Sequence, residues 1–221
     1  IMALLATKGG FGLGAGLIAL LPLFATDVFR AGDVGIGIMF AARGVGALLG
    51  PFGARAFAGN DERKLFLAIG GSMGVYGLTY LIFPSMPSIA LAAVVAAIAH
   101  LGGGAQWTMS LFGLQSMTPD RVRGRILAFD FGLVTLTMSM SLLLAGRLAE
   151  TFEPSSVMVA FASVVLAYGA AWTLYTRRFW GAPRQAPREA GIYKDAVDLS
   201  AEGAPPLSPP HSPSGGSGEY D

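Results

Sequence analysis

Cysteine is absent from the 221 residues, and charge is scarce: 13% of positions are Asp, Glu, Lys or Arg. Without cysteine there is no disulfide, no thiolate nucleophile and no Cys-based zinc site. Two histidines cannot build a metal cluster without several carboxylates beside them, so neither metal nor cofactor is expected. The phosphate-cradling string G-x-x-x-x-G-K-[ST] is missing, as is H-E-x-x-H, so the chain encodes no ATPase motor and no zincin site. Net charge is +1, which gives no basic field to attract nucleic acid. The chain is not expected to be an enzyme. No signal-peptide pattern precedes the first apolar run, and the opening Ile1-Met2-Ala3 reads as a piece of something longer.

What is present is apolar. Hydrophobic residues make up 53% of the chain, whereas a soluble domain carries about 25% charged residues. This balance points to a bilayer as solvent. About 20 mostly apolar residues span the hydrocarbon core, and six runs qualify, at about 9–29, 34–57, 65–83, 88–115, 126–146 and 156–176. They are apolar all round, unlike the amphipathic stripe of a soluble helix or the alternation of a barrel strand. The expected fold class is an all-α membrane protein with six transmembrane helices. From about Gly181 the composition shifts to Pro, Ser, Gly and charge, so residues 179–221 are expected to form a disordered tail.

Lys and Arg set the orientation. With six crossings, one side collects Lys8, Arg55, Arg63, Lys64, Arg121, Arg123, Arg125, Arg177, Arg178, Arg184, Arg188 and Lys194. The other side has only Arg30 and Arg147, and Arg43 falls within a span. Both ends of this segment are therefore expected in the cytoplasm, with Trp172, Tyr175 and Trp180 in the aromatic belt there. The Arg-over-Lys bias and the abundance of Ala and Gly suit a GC-rich genome, and a bacterial cytoplasmic membrane is the expected location.

Several residues stand out against the apolar background. Arg43 lies about 13 Å into its span, where a charge costs roughly 2.5–3.5 kcal/mol on insertion scales; a cavity-lining role is expected. His100, with Gln106 two turns later and Gly102-Gly103-Gly104 between them, makes a polar stretch in the fourth span. His100 and Gln106 are the other cavity candidates, and the three glycines predict a kink or unwound turn. Asp130 follows Arg125 by five residues, so the nearby arginines and the helix dipole are its expected charge partners. Glycines four apart, Gly10 with Gly14, Gly12 with Gly16, Gly46 with Gly50 and Gly70 with Gly74, predict close helix approach. Gly70-Gly71-Ser72-Met73-Gly74 matches G-x-S-x-G, but a nucleophile elbow needs a strand-to-helix turn and this string lies inside an apolar helix.

Some of these stretches look like a known family. Thr118-Pro119-Asp120-Arg121-Val122-Arg123-Gly124-Arg125 resembles the Pro-x-x-x-Arg-Gly-Arg loop between helices ten and eleven of major facilitator superfamily transporters. Leu21 to Phe29, followed by Ala41 to Gly50, is similar to helices seven and eight of efflux-type members, the macrolide and enterobactin exporters. The likeness runs from about Ala6 to Arg178. In the signature between helices eight and nine, Gly50, Arg55, Arg63 and Lys64 are present, while Ala54 stands where the family has Asp. The resemblance implies the C-terminal half of a twelve-helix exporter, with a small organic solute bound near the midplane. It also implies a missing N-terminal half, or a second copy, as partner. Arg55, Asp120, Arg121, Arg123, Arg125 and Asp130 would form the cytoplasmic gate. The competing reading is a membrane scaffold or partner subunit, recruiting a polyproline-binding domain through Pro205 to Pro213.

Overall fold

The computed structural model describes residues 1–179. The Pro-rich segment, Trp180 and almost all of the expected tail lie outside the described residues. Among the described residues every regular element is helical. The six long helices are α1 (Met2–Leu23), α2 (Gly32–Ala58), α3 (Glu62–Ile82), α4 (Ile89–Met117), α5 (Asp120–Ala149) and α6 (Pro154–Thr176). All six are long and apolar enough to cross a membrane. Their connections are short, so successive helices run in opposite directions.

The ends follow local chemistry. Pro22 has no N–H to give the preceding turn, and α1 loosens just beyond it into a π turn over Phe24–Val28. Gly59 terminates α2 with a positive φ of 52°, a conformation glycine adopts without penalty. Asp61 then caps α3, accepting from Lys64 N–H at 3.2 Å, and Ser88 caps α4 through Leu91 N–H at 3.4 Å.

The first helix begins well before the expected start of its span. Lys8, read from the sequence as a flanking cytoplasmic cation, is buried inside α1 at 1% exposure. The helix carries it inward because a carboxylate on α5 neutralises it there, as described below. The three glycines of α4 also differ from expectation, since the helix runs unbroken through them. Their small size serves packing instead: a Cβ on Gly102 would strike Ser72 O on α3, and one on Gly104 would strike Ala47 O on α2. Trp172, expected in the aromatic belt, is buried against its neighbours. Its ring lies 5.9 Å from that of Phe66, and its indole N–H donates to Ala3 O at 2.7 Å.

Two helices organise the bundle. The principal neighbours are α2–α4, α1–α5, α3–α4, α3–α6, α1–α6 and α1–α4. Exchanging α1 with α4, α2 with α5 and α3 with α6 maps this set of contacts onto itself. The first three helices and the last three therefore pack in the same way, and opposite chain directions make the relation an inverted one. Each half reaches into the other: α1 packs mainly on α5 and α6, and α4 on α2 and α3, and the glycines of α1 strip its surface so that neighbours reach its backbone. Its carbonyls at Ala6, Thr7, Leu13 and Gly14 accept from Tyr168 on α6, Gln106 on α4, Ser141 on α5 and Tyr76 on α3, at 2.5–3.1 Å. In lipid, where apolar burial between helices gains little, such close approach and polar ties hold helices together.

By contrast, α2 and α5 each lean mainly on one partner and leave rows of large apolar side chains exposed, among them Leu48, Leu49 and Phe52 on α2 and Leu136, Met140 and Leu143 on α5. The α2–α4 seam relies on glycine. A Cβ on Gly46 or Gly50 would meet the carbonyl oxygen of Ala97 or Leu101, which is backbone and cannot rotate aside. Gly46→Val and Gly50→Val should each lower unfolding stability in detergent by about 1–3 kcal/mol. Gly74→Ala, where nothing lies within 4 Å, should leave it unchanged or raise it by up to about 1 kcal/mol.

Candidate functional site

Between α2 and α5 lies a cavity of 580 Å³, floored by α1 and α4. Its wall is mostly apolar and aromatic: Phe11, Tyr76, Trp107 and Phe131 contribute rings, and Val134, Met138 and Leu142 aliphatic surface. Four polar groups interrupt it, Arg43 from α2, Thr108 from α4, and Thr135 and Ser139 from α5, with His100 at the α3–α4 side.

Two of the three cavity candidates read from the sequence, Arg43 and His100, line this space; Gln106 does not. The reason is helical geometry. Six residues turn a helix by about 240°, which carries Gln106 away from the face of His100. Gln106 is buried on the opposite side and donates to Thr7 O at 3.0 Å, tying α4 to α1. Gly103, Gly104 and Trp107, three, four and seven residues after His100, share its face and reach the cavity.

His100 is held in an aromatic corner. Its Nε2 lies 3.0 Å from Tyr80 Oη, and the rings of Tyr76 and Tyr80 meet it edge-on at 5.4 and 6.0 Å. Ser72, the serine of the G-x-S-x-G string, is buried on α3 and its carbonyl abuts Gly102. Arg43 is held more loosely. Its guanidinium lies 5.9 Å from the Phe40 ring centroid, and its Nε is buried without a hydrogen-bond partner. Among the described residues no carboxylate is within ion-pair distance of Arg43.

Lys8, a fully buried cation, takes the other solution. Lys8 Nζ lies 3.5 Å from Asp130 Oδ2, with the two side chains 1% and 5% exposed, and 3.9 Å from the Trp107 ring centroid. The same indole faces Phe11 at 5.0 Å and Phe131 at 6.4 Å, so it forms both the cavity wall and a cover for the ion pair. Asp130 thus pairs with a residue 122 positions away rather than with the arginines that precede it. Five residues rotate a helix by about 140°, which points Arg125 outward and Asp130 into the α1 seam. Asp130 Oδ1 is buried without a partner.

The remaining gate candidates sit together at one end of the bundle, where α2 and α4 finish and α3 and α5 begin. Arg123 pairs with Asp120 at 2.5 Å and donates to Thr118 O at 3.0 and 3.2 Å, closing the end of α4. Arg55 donates to Gly59 O at the end of its own helix and stacks 4.5 Å from the Phe112 ring centroid. Arg121 and Arg125 are exposed. Among the described residues no three His, Asp or Glu side chains converge in a way that could hold a metal ion.

The sequence reading missed Lys8, Trp107, Thr135 and Ser139. Thr135 and Ser139 did leave a signal, since hydroxyls four apart in an apolar helix share one face. The chain matches no protein-family model and no curated protein. Among the described residues, fold and site define a bundle of six helices long and apolar enough to cross a membrane, with a polar-dotted cavity between two exposed helices.

Removing one member of the buried pair strands the other in the bundle. Lys8→Ala should lower stability in detergent by about 3–5 kcal/mol. Lys8→Met combined with Asp130→Leu should recover all but about 1 kcal/mol of that, or exceed the parent. Thermal unfolding of the single and double variants distinguishes a desolvated pair from a solvated one, for which Lys8→Ala costs less than about 1 kcal/mol.

Proposed function

We propose that the chain is the C-terminal half of a secondary transporter of the major facilitator type, in which an ion gradient drives the efflux of a small organic solute by alternating access. The cavity carries this reading. It lies between α2 and α5, the two least buried of the six helices, and it holds Arg43, a costly intramembrane charge with no carboxylate in ion-pair distance among the described residues. The inverted correspondence of α1–α3 with α4–α6 supports it, because transporters of this kind place a midplane site between such repeats. The exposed apolar rows of α2 and α5 suit a second six-helix half, or a second copy, facing the cavity. On this reading the Arg55, Asp120, Arg121, Arg123 and Arg125 end is the cytoplasmic gate of a protein in a bacterial cytoplasmic membrane, with both ends of this segment inside. Asp130, held by Lys8, steadies the α1–α5 wall behind that gate.

Everted vesicles containing the full-length protein, energised by an imposed pH gradient, test the reading with carboxyfluorescein and ethidium as fluorescent solutes. Gradient-dependent accumulation of at least one dye is expected, with Arg43→Ala lowering the initial rate at least tenfold. Accumulation no greater than in vesicles lacking the protein, or an Arg43→Ala variant with the full rate, contradicts it.

A further inference from the structure

We infer that the cavity binds an organic anion, a planar apolar body bearing a carboxylate or similar group, with the guanidinium of Arg43 as its counter-charge. The inference deepens the transport reading and rests on it for the site, but it is argued from the charges around the cavity.

Among the described residues, Arg43 carries the only formal charge on the cavity wall, and no Asp or Glu lines it. The nearest buried carboxylate, Asp130, is engaged by Lys8, and that pair sums to zero. His100 is engaged by Tyr80, and the Tyr76 hydroxyl donates to Gly14 O at 3.1 Å. The polar groups left to meet a solute are the guanidinium and the hydroxyls of Thr108, Thr135 and Ser139. Thr135 already donates to Phe131 O at 2.8 Å, which leaves its oxygen as an acceptor. Arg43 Nε is a buried donor with nothing to donate to, and a buried unpaired donor is costly until an acceptor arrives. A carboxylate meets that need with two parallel bonds across the planar fork of the guanidinium. A cation in the same place would face like charge across a low-dielectric space with no acid to offset it.

The rest of the cavity defines the body of the ligand. Phe11, Trp107 and Phe131 form one aromatic wall, with ring centroids 5.0 and 6.4 Å apart. Such a wall takes a flat apolar group face-on or edge-on. A volume of 580 Å³ falls in the range of about 300–1,000 Å³ typical of small-molecule pockets.

Trp107 on the cavity wall provides the readout. The full-length protein in lipid nanodiscs is titrated with 1-naphthoate and with the neutral isostere 1-naphthamide while tryptophan fluorescence is followed; Trp107→Phe identifies the signal that belongs to the cavity. Naphthoate should quench Trp107 with a Kd at least tenfold below that of naphthamide. Arg43→Gln should bring the two to equal affinity, and Arg43→Lys, which keeps the charge and secures the test if the Gln variant fails to fold, should keep part of the preference. Equal binding of both probes by the parent protein, or a preference for naphthoate that survives Arg43→Gln, overturns the charge assignment. It leaves the transport reading, which the vesicle assay decides separately. Failure of both probes to quench Trp107 overturns the cavity as a binding site for this class.

Discussion

A charge in hydrocarbon has to be neutralised or given something polar to face, and Lys8, which is buried, and Arg43, which is half-buried, meet that constraint in different ways. Lys8 is neutralised: Asp130 lies 3.5 Å away and an indole covers the pair. Among the described residues Arg43 has no carboxylate partner, and it faces a cavity instead. Most of the architecture follows from this division. The ion pair closes the α1–α5 seam, so α5 can stand beside α1 while its other faces stay open. The cavity needs α2 and α5 to stand apart, which they can do because each is anchored mainly through one neighbour, α4 or α1.

That anchoring is a matter of small residues. Apolar side chains gain little by leaving lipid for one another, so helices hold together where their backbones touch. Glycines on α1 expose carbonyls that accept hydrogen bonds from four other helices. On the α2–α4 seam, glycines receive carbonyls from the facing helix. Pro51 belongs to the same seam. It cannot bond the Ala47 carbonyl, and that carbonyl is the one lying against Gly104. The two seams occupy equivalent places in the inverted arrangement, and in each a glycine-rich helix holds a helix that faces the cavity.

The six helices could be read from the sequence because length and apolar content suffice for that. Arg43 and His100 stood out because any ionisable residue does in such a run. Lys8 did not, because a cation near the start of an apolar run looks like a flank, and its partner is 122 residues distant. Gln106 pointed the wrong way because polarity along a span carries no face until the 100° step between residues is applied. The aromatic wall could not be read, since Phe11, Trp107 and Phe131 look the same in sequence whether they face lipid, core or cavity. Triple glycine suggested a broken helix, but it marks a helix squeezed between two others.

The central claim is that α5 presents one face to a polar cavity and another to lipid, and the absence of cysteine from the chain makes it directly measurable. Ser139→Cys, on the cavity wall, and Leu144→Cys, at a residue that is 54% exposed outside the cavity lining, can each be challenged in proteoliposomes with a charged, water-soluble methanethiosulfonate. The account predicts that Ser139→Cys reacts at least tenfold faster than Leu144→Cys, five residues on and about 140° around the helix. Equal reactivity at the two positions would contradict it.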